Sequence, residues 1–335
     1  MAMTLDGSNG VTFNDASLQG AAASPYVLKN RIINGGFQVW QRSTSSSSTS
    51  GYYTADRWYV TGTANVTVSK SANPTSPNGN YFLTWTTSAS SSFLNILQCI
   101  ESVNITDLRN QTVTLSAWVQ TTAGSYTGNL SWAMYSNTTD AFTVSVGQIT
   151  PTSSTSVTPT GTWQQIKATF VIPATCVSLT CYLLNSSVQP SGVTVNYADV
   201  QLEVGSTVTP LEKRLYNQEL ANCQRYYYKN FPNAANGPFG VGQAYSTTQL
   251  ILVMPFKSSM RITPTALEQS GTAANYGAVS ANGTGLSCNA VPTFYSASPE
   301  NAAVVLTFAS GLVAGNASFP YAFQSGAYFA WSAEL

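Results

Sequence analysis

QTVTLSAWVQ, residues 111–120, puts Val113, Leu115, Ala117 and Val119 on one side of an extended chain and Thr114, Ser116, Trp118 and Gln120 on the other. That period of two belongs to a strand with one buried face, not to a helix. The same signature recurs in ANVTVSK (64–70), YFLTWTT (81–87), NLSWAMYS (129–136), QQIKATFVI (164–172), VSLTCYLL (177–184) and VTVNYADVQLEV (193–204). Turn-forming stretches such as NPTSPNGN (73–80), TAGSYTG (122–128) and QPSG (189–192) separate them. With no amphipathic helix between the strands, the pattern predicts an antiparallel β-sandwich over 30–208.

One stretch reads differently. TPLEKRLYNQELANCQ (209–224) carries Thr209, Pro210 and Glu212 in the order of a capping box, which predicts a short linker helix beginning at Thr209. Beyond it, RYYYKNF (225–231), QLILVMPF (249–256), AVVLTFAS (303–310) and AYFAWSAEL (327–335) predict a second β domain whose C-terminus is tied into a sheet. The fold class expected is therefore all-β: a sandwich, a short helix and a further β domain at 225–335. A chain of 335 residues exceeds the size at which one core usually stops growing, which agrees with two domains.

Composition narrows the function. Charged residues make up only 8% of the chain, against roughly 25% in ordinary soluble domains. Serine, threonine, asparagine, glutamine and glycine must supply the solvated faces. Thirteen basic residues offset thirteen acidic ones, so nothing in the charge balance attracts phosphate backbones or anionic lipid, and no nucleic-acid partner is expected. No apolar run reaches the ~20 residues a membrane helix requires, so no membrane insertion is expected. The opening MAMTLDGSNG lacks the basic and apolar regions of a signal peptide.

Histidine is absent, which removes Ser-His-Asp and Cys-His catalysis and histidine-based zinc sites. The five cysteines, without CxxC spacing, are expected as buried free thiols. Glu101, Asp107, Asp199 and Glu203 are the candidate acids for glycoside hydrolysis, but Asp199 and Glu203, four apart on a strand, stand about 13 Å from each other. No enzymatic activity and no cofactor are expected. Asp56-Arg57-Trp58 reads as an ion pair pinning a strand. GPFGVGQ (237–243) follows no βαβ pattern and is not a phosphate loop.

The candidate binding residues are Trp118, Gln120 and Tyr135. Alternation puts them on the outer surface of the sandwich, where an aromatic face can stack on a sugar ring and an amide can take its hydroxyls. The competing reading is that these aromatics pack beneath a loop or at an interface.

The motif order NGGFQVWQR, YTADRW, QCIE, VTLSAWV, GTWQQIKATFVIP, ADVQLEVGSTVTPLEKR and ELANCQRYYYK, across about 30–231, resembles a module of bacteriophage tail fibres and related virion proteins. TLDGSNGVTFNDASLQGAAA resembles the segment preceding such modules, although Asn14-Asp15-Ala16-Ser17 departs from the usual Pro-Asp-Gly. MRITPT (260–265) and the closing AEL resemble the C-terminal domains that follow. The resemblance implies a jelly-roll, carbohydrate-binding-like sandwich in a fibre located in the virion. Such sandwiches often hold a structural calcium ion, and a site using Asp56 or Asp199 is a weaker reading that the resemblance implies. The same resemblance implies a homotrimer, attachment to other virion proteins through residues 1–29, and a host surface glycan as ligand. A head fibre or capsid decoration protein and a polysaccharide-degrading tailspike are the alternatives. On this reading the serine-rich stretch 43–51 is a solvated hairpin loop, and its uncharged surface keeps binding insensitive to salt.

Overall fold

The computed structural model describes residues 29–335 apart from 48–49, 63–64, 73–76, 78–80, 91–93, 141–146 and 186, together with the short strands Thr4–Asp6, Gly10–Thr12 and Leu18–Gln19. The rest of the expected attachment segment 1–29 lies outside the described residues.

Nine longer strands build the sandwich: β1 Tyr59–Gly62, β2 Val66–Ala72, β3 Tyr81–Thr87, β4 Leu94–Ile100, β5 Thr112–Ala123, β6 Leu130–Asn137, β7 Gln164–Val171, β8 Ser178–Asn185 and β9 Thr194–Val204. The larger sheet runs Ser153–Ser154, β7, β5, β9, β3, β2, Ser45–Ser46. The smaller runs Gln148–Ile149, β6, β8, β4, β1, Ser50–Gly51. Every pairing is antiparallel, and the order is that of a jelly roll. Val113, Leu115, Ala117 and Val119 enter the core between the sheets, against Leu130, Trp132, Met134, Leu179 and Leu183 of the smaller sheet. The period-two reading of 111–120 therefore places its apolar face correctly.

The serine-rich stretch is not a hairpin between core strands. Ser45–Ser46 pairs with β2 at one margin of the larger sheet, whereas Ser50–Gly51 pairs with β1 at the margin of the smaller. The two ends of the stretch thus belong to different sheets.

NGGF (34–37) forms a tight turn at the start of the sandwich, closed by the Phe37 amide on Asn34 O (3.0 Å). Asn34 has a φ of 59°, its amide donates to Val39 O (2.9 Å) and Asp56 O (3.0 Å), and its Oδ1 accepts from Val39 N (3.0 Å). A Cβ on Gly35 would lie 2.0 Å from Val200 O, so the backbone can approach β9 only as glycine.

The linker departs from its sequence reading. The helix, α1, spans Tyr216–Gln224, and its N-cap is Leu215, which makes no side-chain cap. Thr209 instead donates its hydroxyl to Glu203 Oε2 (2.6 Å) and its amide to Glu203 Oε1 (2.9 Å). Glu212 accepts from the Asn30 amide (2.8 Å), and its own amide donates to Gln201 Oε1 (2.8 Å). Residues 209–212 are thus a strap laid on the outer face of β9. Gln201 and Glu203 outcompete the local cap because they bring preplaced buried acceptors, whereas an isolated helix must first nucleate.

The C-terminal region has its own core around Leu250, Leu252, Met254, Val304, Leu306, Phe329 and Trp331. Its larger sheet runs Gly285–Ser287, Tyr276–Val279, Ala317–Ala322, Gly242–Ala244, Gln249–Pro255, Asn301–Thr307, Ala290–Ala297. Phe329–Ser332 pairs with Tyr227–Asn230, so the C-terminal segment is a sheet strand. All five cysteines are free and buried. Cys176, just before β8, and Cys181 within it both enter the sandwich core.

Candidate functional site

The outer face of the larger sheet carries a row of neutral polar side chains fixed by strand register. Thr84 on β3 donates to Asn196 Oδ1 on β9 (2.8 Å) and shares a hydrogen bond with Ser71 on β2 (2.8 Å). Asn196 Nδ2 reaches Gln120 Oε1 on β5 (3.5 Å), and Gln120 Nε2 donates to Gly161 O (2.7 Å). Trp118 lies between its partners Gln165 on β7 and Ala198 on β9. Beside this row, Trp163 meets Phe82 edge-on at 5.6 Å, and neither ring belongs to the core between the sheets.

Toward the strap the face deepens into a groove of about 300 Å³. Trp118, Ser116, Gln165, Val208, Pro210 and Leu211 line it with Gln201 and Thr209, and Asp199 is the one ionisable wall residue. A bulge in β9 opposite Ser116 and Trp118 produces this shape, and Asp199 sits in it at a φ of 55°. The groove is at the small end of the range for ligand pockets.

Trp118 and Gln120 therefore share one face, half-buried and adjacent. Tyr135 does not join them. It lies on the outer face of the smaller sheet, opposite Thr180, with its ring 6.2 Å from Tyr182. Alternation correctly turns each residue outward, but the two strands belong to different sheets, so the trio cannot form one site. Trp163, Phe82 and Asn196 went unrecognised. Continuing the alternation of QQIKATF back from Gln165 points Trp163 to the same side, a signal present in the sequence.

The motif residues assemble elsewhere, between the sandwich and the second domain. Asp56 and Arg57 do not pair with each other. Asp56 accepts from the Gln41 amide (2.8 Å) and from the Gln41 side chain, which also donates to Tyr227 O (2.7 Å). Arg57 has a φ of 72°, which turns its guanidinium away from Asp56. It pairs with Glu334, donates to Cys99 O (2.6 Å) and stacks on Tyr226 at 3.5 Å. Arg42 lies 3.4 Å from the same carboxylate and 3.6 Å above the Tyr227 ring. Glu101 binds Arg225 Nε (2.8 Å) and the Tyr226 hydroxyl (2.8 Å).

Burial pushes the Asp56 carboxyl up to about 6, with Arg42 and the Gln41 hydrogen bonds opposing. Burial also pushes the Cys99 thiol up to about 11 and the Cys223 thiol well above its ordinary range. These thiols are inert at neutral pH. Of the acids considered for hydrolysis, Glu101, Asp107 and Glu203 are spent on Arg225, Arg31 and Thr209. Among the described residues no group of three or more metal-ligating side chains is gathered, and Asp56, with its oxygens on Gln41, does not fit the calcium reading.

No family model matches the sequence, and no curated protein matches it significantly. Similar solved structures include TmCBM61 in complex with β-1,4-galactotriose, at 18% identity and a TM-score of 0.36 over 53% of this chain and 100% of that one. The CBM22-1 xylan-binding domain from Paenibacillus barcinonensis Xyn10C is 17% identical, with a TM-score of 0.31 over 49% of this chain and 94% of that one. The enzymatically active domain of bacteriophage CBA120 tailspike protein 4 is 16% identical, with a TM-score of 0.36 over 56% of this chain and 22% of that one. This chain thus spans about a fifth of the tailspike chain.

Proposed function

We propose that this chain is a virion structural protein, a tail-fibre or receptor-binding subunit that holds a host surface glycan without altering it. The observation that carries the binding role is the Trp118 groove, an aromatic face flanked by amides and hydroxyls on a rigid sheet. The ordered motif series across 30–231 supports the virion setting. Assembly as a homotrimer is part of the reading. It is supported by the outer face of the C-terminal sheet, where Val241, Tyr245, Ile251 and Val253 line a concavity of about 460 Å³. With formal net charge zero, copies do not repel one another.

Trp118→Ala tests the groove. Loss of a central stacking aromatic is expected to cost about 2 kcal/mol, roughly 30-fold in affinity for purified host surface polysaccharide measured by titration calorimetry. Unchanged affinity would remove the groove from the proposal. Light scattering on the full chain is expected to give three times the monomer mass, and a monomer at micromolar concentration would refute the fibre reading. Density for this fold on a capsid, and not on a tail, in a particle reconstruction would transfer the role to head decoration.

A further inference from the structure

A second cavity of about 320 Å³ opens where the sandwich meets α1, away from the Trp118 groove. Its walls hold Arg31, Arg214 and Arg225 in a chain with thirteen basic residues in all. Asn104, Asn222 and Val103 complete the rim.

The hydrogen-bonding capacity left over in these walls is one-sided. Glu101, the wall's one carboxylate, is occupied: Oε1 takes Arg225 Nε (2.8 Å), the Tyr226 hydroxyl (2.8 Å) and Asn104 Nδ2 (3.4 Å), and Oε2 takes Arg225 Nη2 (3.2 Å). The acids that neutralise Arg31 and Arg214, namely Asp107, Glu212 and Glu219, are not part of the wall. Donors remain. Arg225 engages Glu101 through Nε and Nη2, and among the described residues its Nη1 makes no hydrogen bond. Arg214, with 7% of its side chain exposed, adds positive charge behind the wall while its terminal nitrogens are held by Ile32 O, Asn30 O and Glu219. Asn222, half-buried on α1, shows no side-chain hydrogen bond among them. A cavity with spare donors and no spare anionic acceptor is matched by a carboxylate, which accepts from two or more donors at once and takes a guanidinium bidentately.

We propose that this cavity binds the carboxylate of an acidic sugar unit, a uronate or a related sugar acid, within the glycan that the sandwich holds. The inference rests on the glycan-binding reading and adds a charged subsite to the neutral groove. Ile33 and Val103 supply apolar wall for the ring while Arg225 and Asn222 hold its carboxylate.

Saturation-transfer NMR on the full chain, with methyl β-D-glucuronide, methyl β-D-glucoside and acetate, tests it. The glucuronide is expected to bind about tenfold or more tightly than the glucoside, and to weaken as salt rises from about 20 to about 300 mM. Arg225→Gln is expected to weaken it about 10- to 100-fold. Because that change also strips Glu101 of its partner, Asn222→Asp is the second variant. It alters one half-buried helix position, removes no partner from an existing ion pair, and is expected to abolish glucuronide binding, through the carboxylate it adds beside Arg225, while leaving polysaccharide capture through Trp118 intact. Equal affinity for glucuronide and glucoside, glucuronide binding unchanged by Asn222→Asp, no glucuronide binding at all, or acetate binding as tightly as glucuronide would each overturn the inference. Those results leave the glycan reading standing, which falls only if the protein captures no host polysaccharide.

Discussion

Arg57→Ala is expected to destabilise the protein by about 3–5 kcal/mol, the cost of removing one partner from a buried ion pair. Arg57 and Glu334 are 1% and 5% exposed at the side chain, so the carboxylate left behind cannot recover its hydration. The substitution also removes the guanidinium from the Tyr226 ring and the hydrogen bond to Cys99 O. Arg42, 3.4 Å from Glu334, recovers part of the loss, which sets the effect nearer the lower bound. The pair joins the sandwich to the last residues of the second domain, so the effect extends beyond stability. Calorimetry should show one cooperative transition in the parent protein and two in Arg57→Ala, because the two cores, each complete in itself, then melt separately. Glu334→Gln should act in the same direction, and the double variant should cost less than the sum of the singles. A single unshifted transition in Arg57→Ala would show that the latch does not couple the domains.

Stability should fall as pH rises from about 4 to about 7, through Asp56. Its carboxyl is fully buried and is raised from the usual 3.8 to about 6 in the folded chain. Burial is the main cause; Arg42 and Gln41 oppose it, and Glu334 adds to it. A raised folded value means that the native state holds its proton between those two values while the unfolded chain has already lost it. The favourable contribution is therefore complete below about 3.8 and is lost as pH rises through about 6. At 1.36 kcal/mol per pH unit, the swing is about 3 kcal/mol. Asp56→Asn removes the titration and should flatten this part of the profile in urea denaturation. A profile with the same fall in parent and Asp56→Asn would place the titrating group elsewhere.

The strand content was legible because a sandwich strand has one dry and one wet face, and that writes a period of two into QTVTLSAWVQ, NLSWAMYS and QQIKATFVI whatever they pack against. Thr209 and Glu212 show the opposite case. The local pattern is a capping box, yet their partners, Glu203 and Asn30, come from β9 and from the start of the sandwich. Glu203 is six residues from Thr209 but fixed in β9, and Asn30 is 182 residues from Glu212, so the choice depends on where β9 and the start of the sandwich meet. Asp56 and Arg57 likewise look like a pair because they are adjacent, whereas a left-handed backbone at Arg57 sends its side chain to a residue 277 positions away.

The site divides along the same line. That Trp118, Gln120 and Tyr135 turn away from the core follows from alternation alone. That Trp118 and Gln120 share a face with Asn196, while Tyr135 looks out from the other side of the sandwich, depends on which strands pair. Composition and alternation determined an all-β, charge-poor, histidine-free chain, since those properties are sums over single residues and their nearest neighbours. Only the tertiary structure decided which buried charges meet, where the strap lies and which aromatics stand together, because those contacts join residues far apart in the chain whose proximity is set by sheet order.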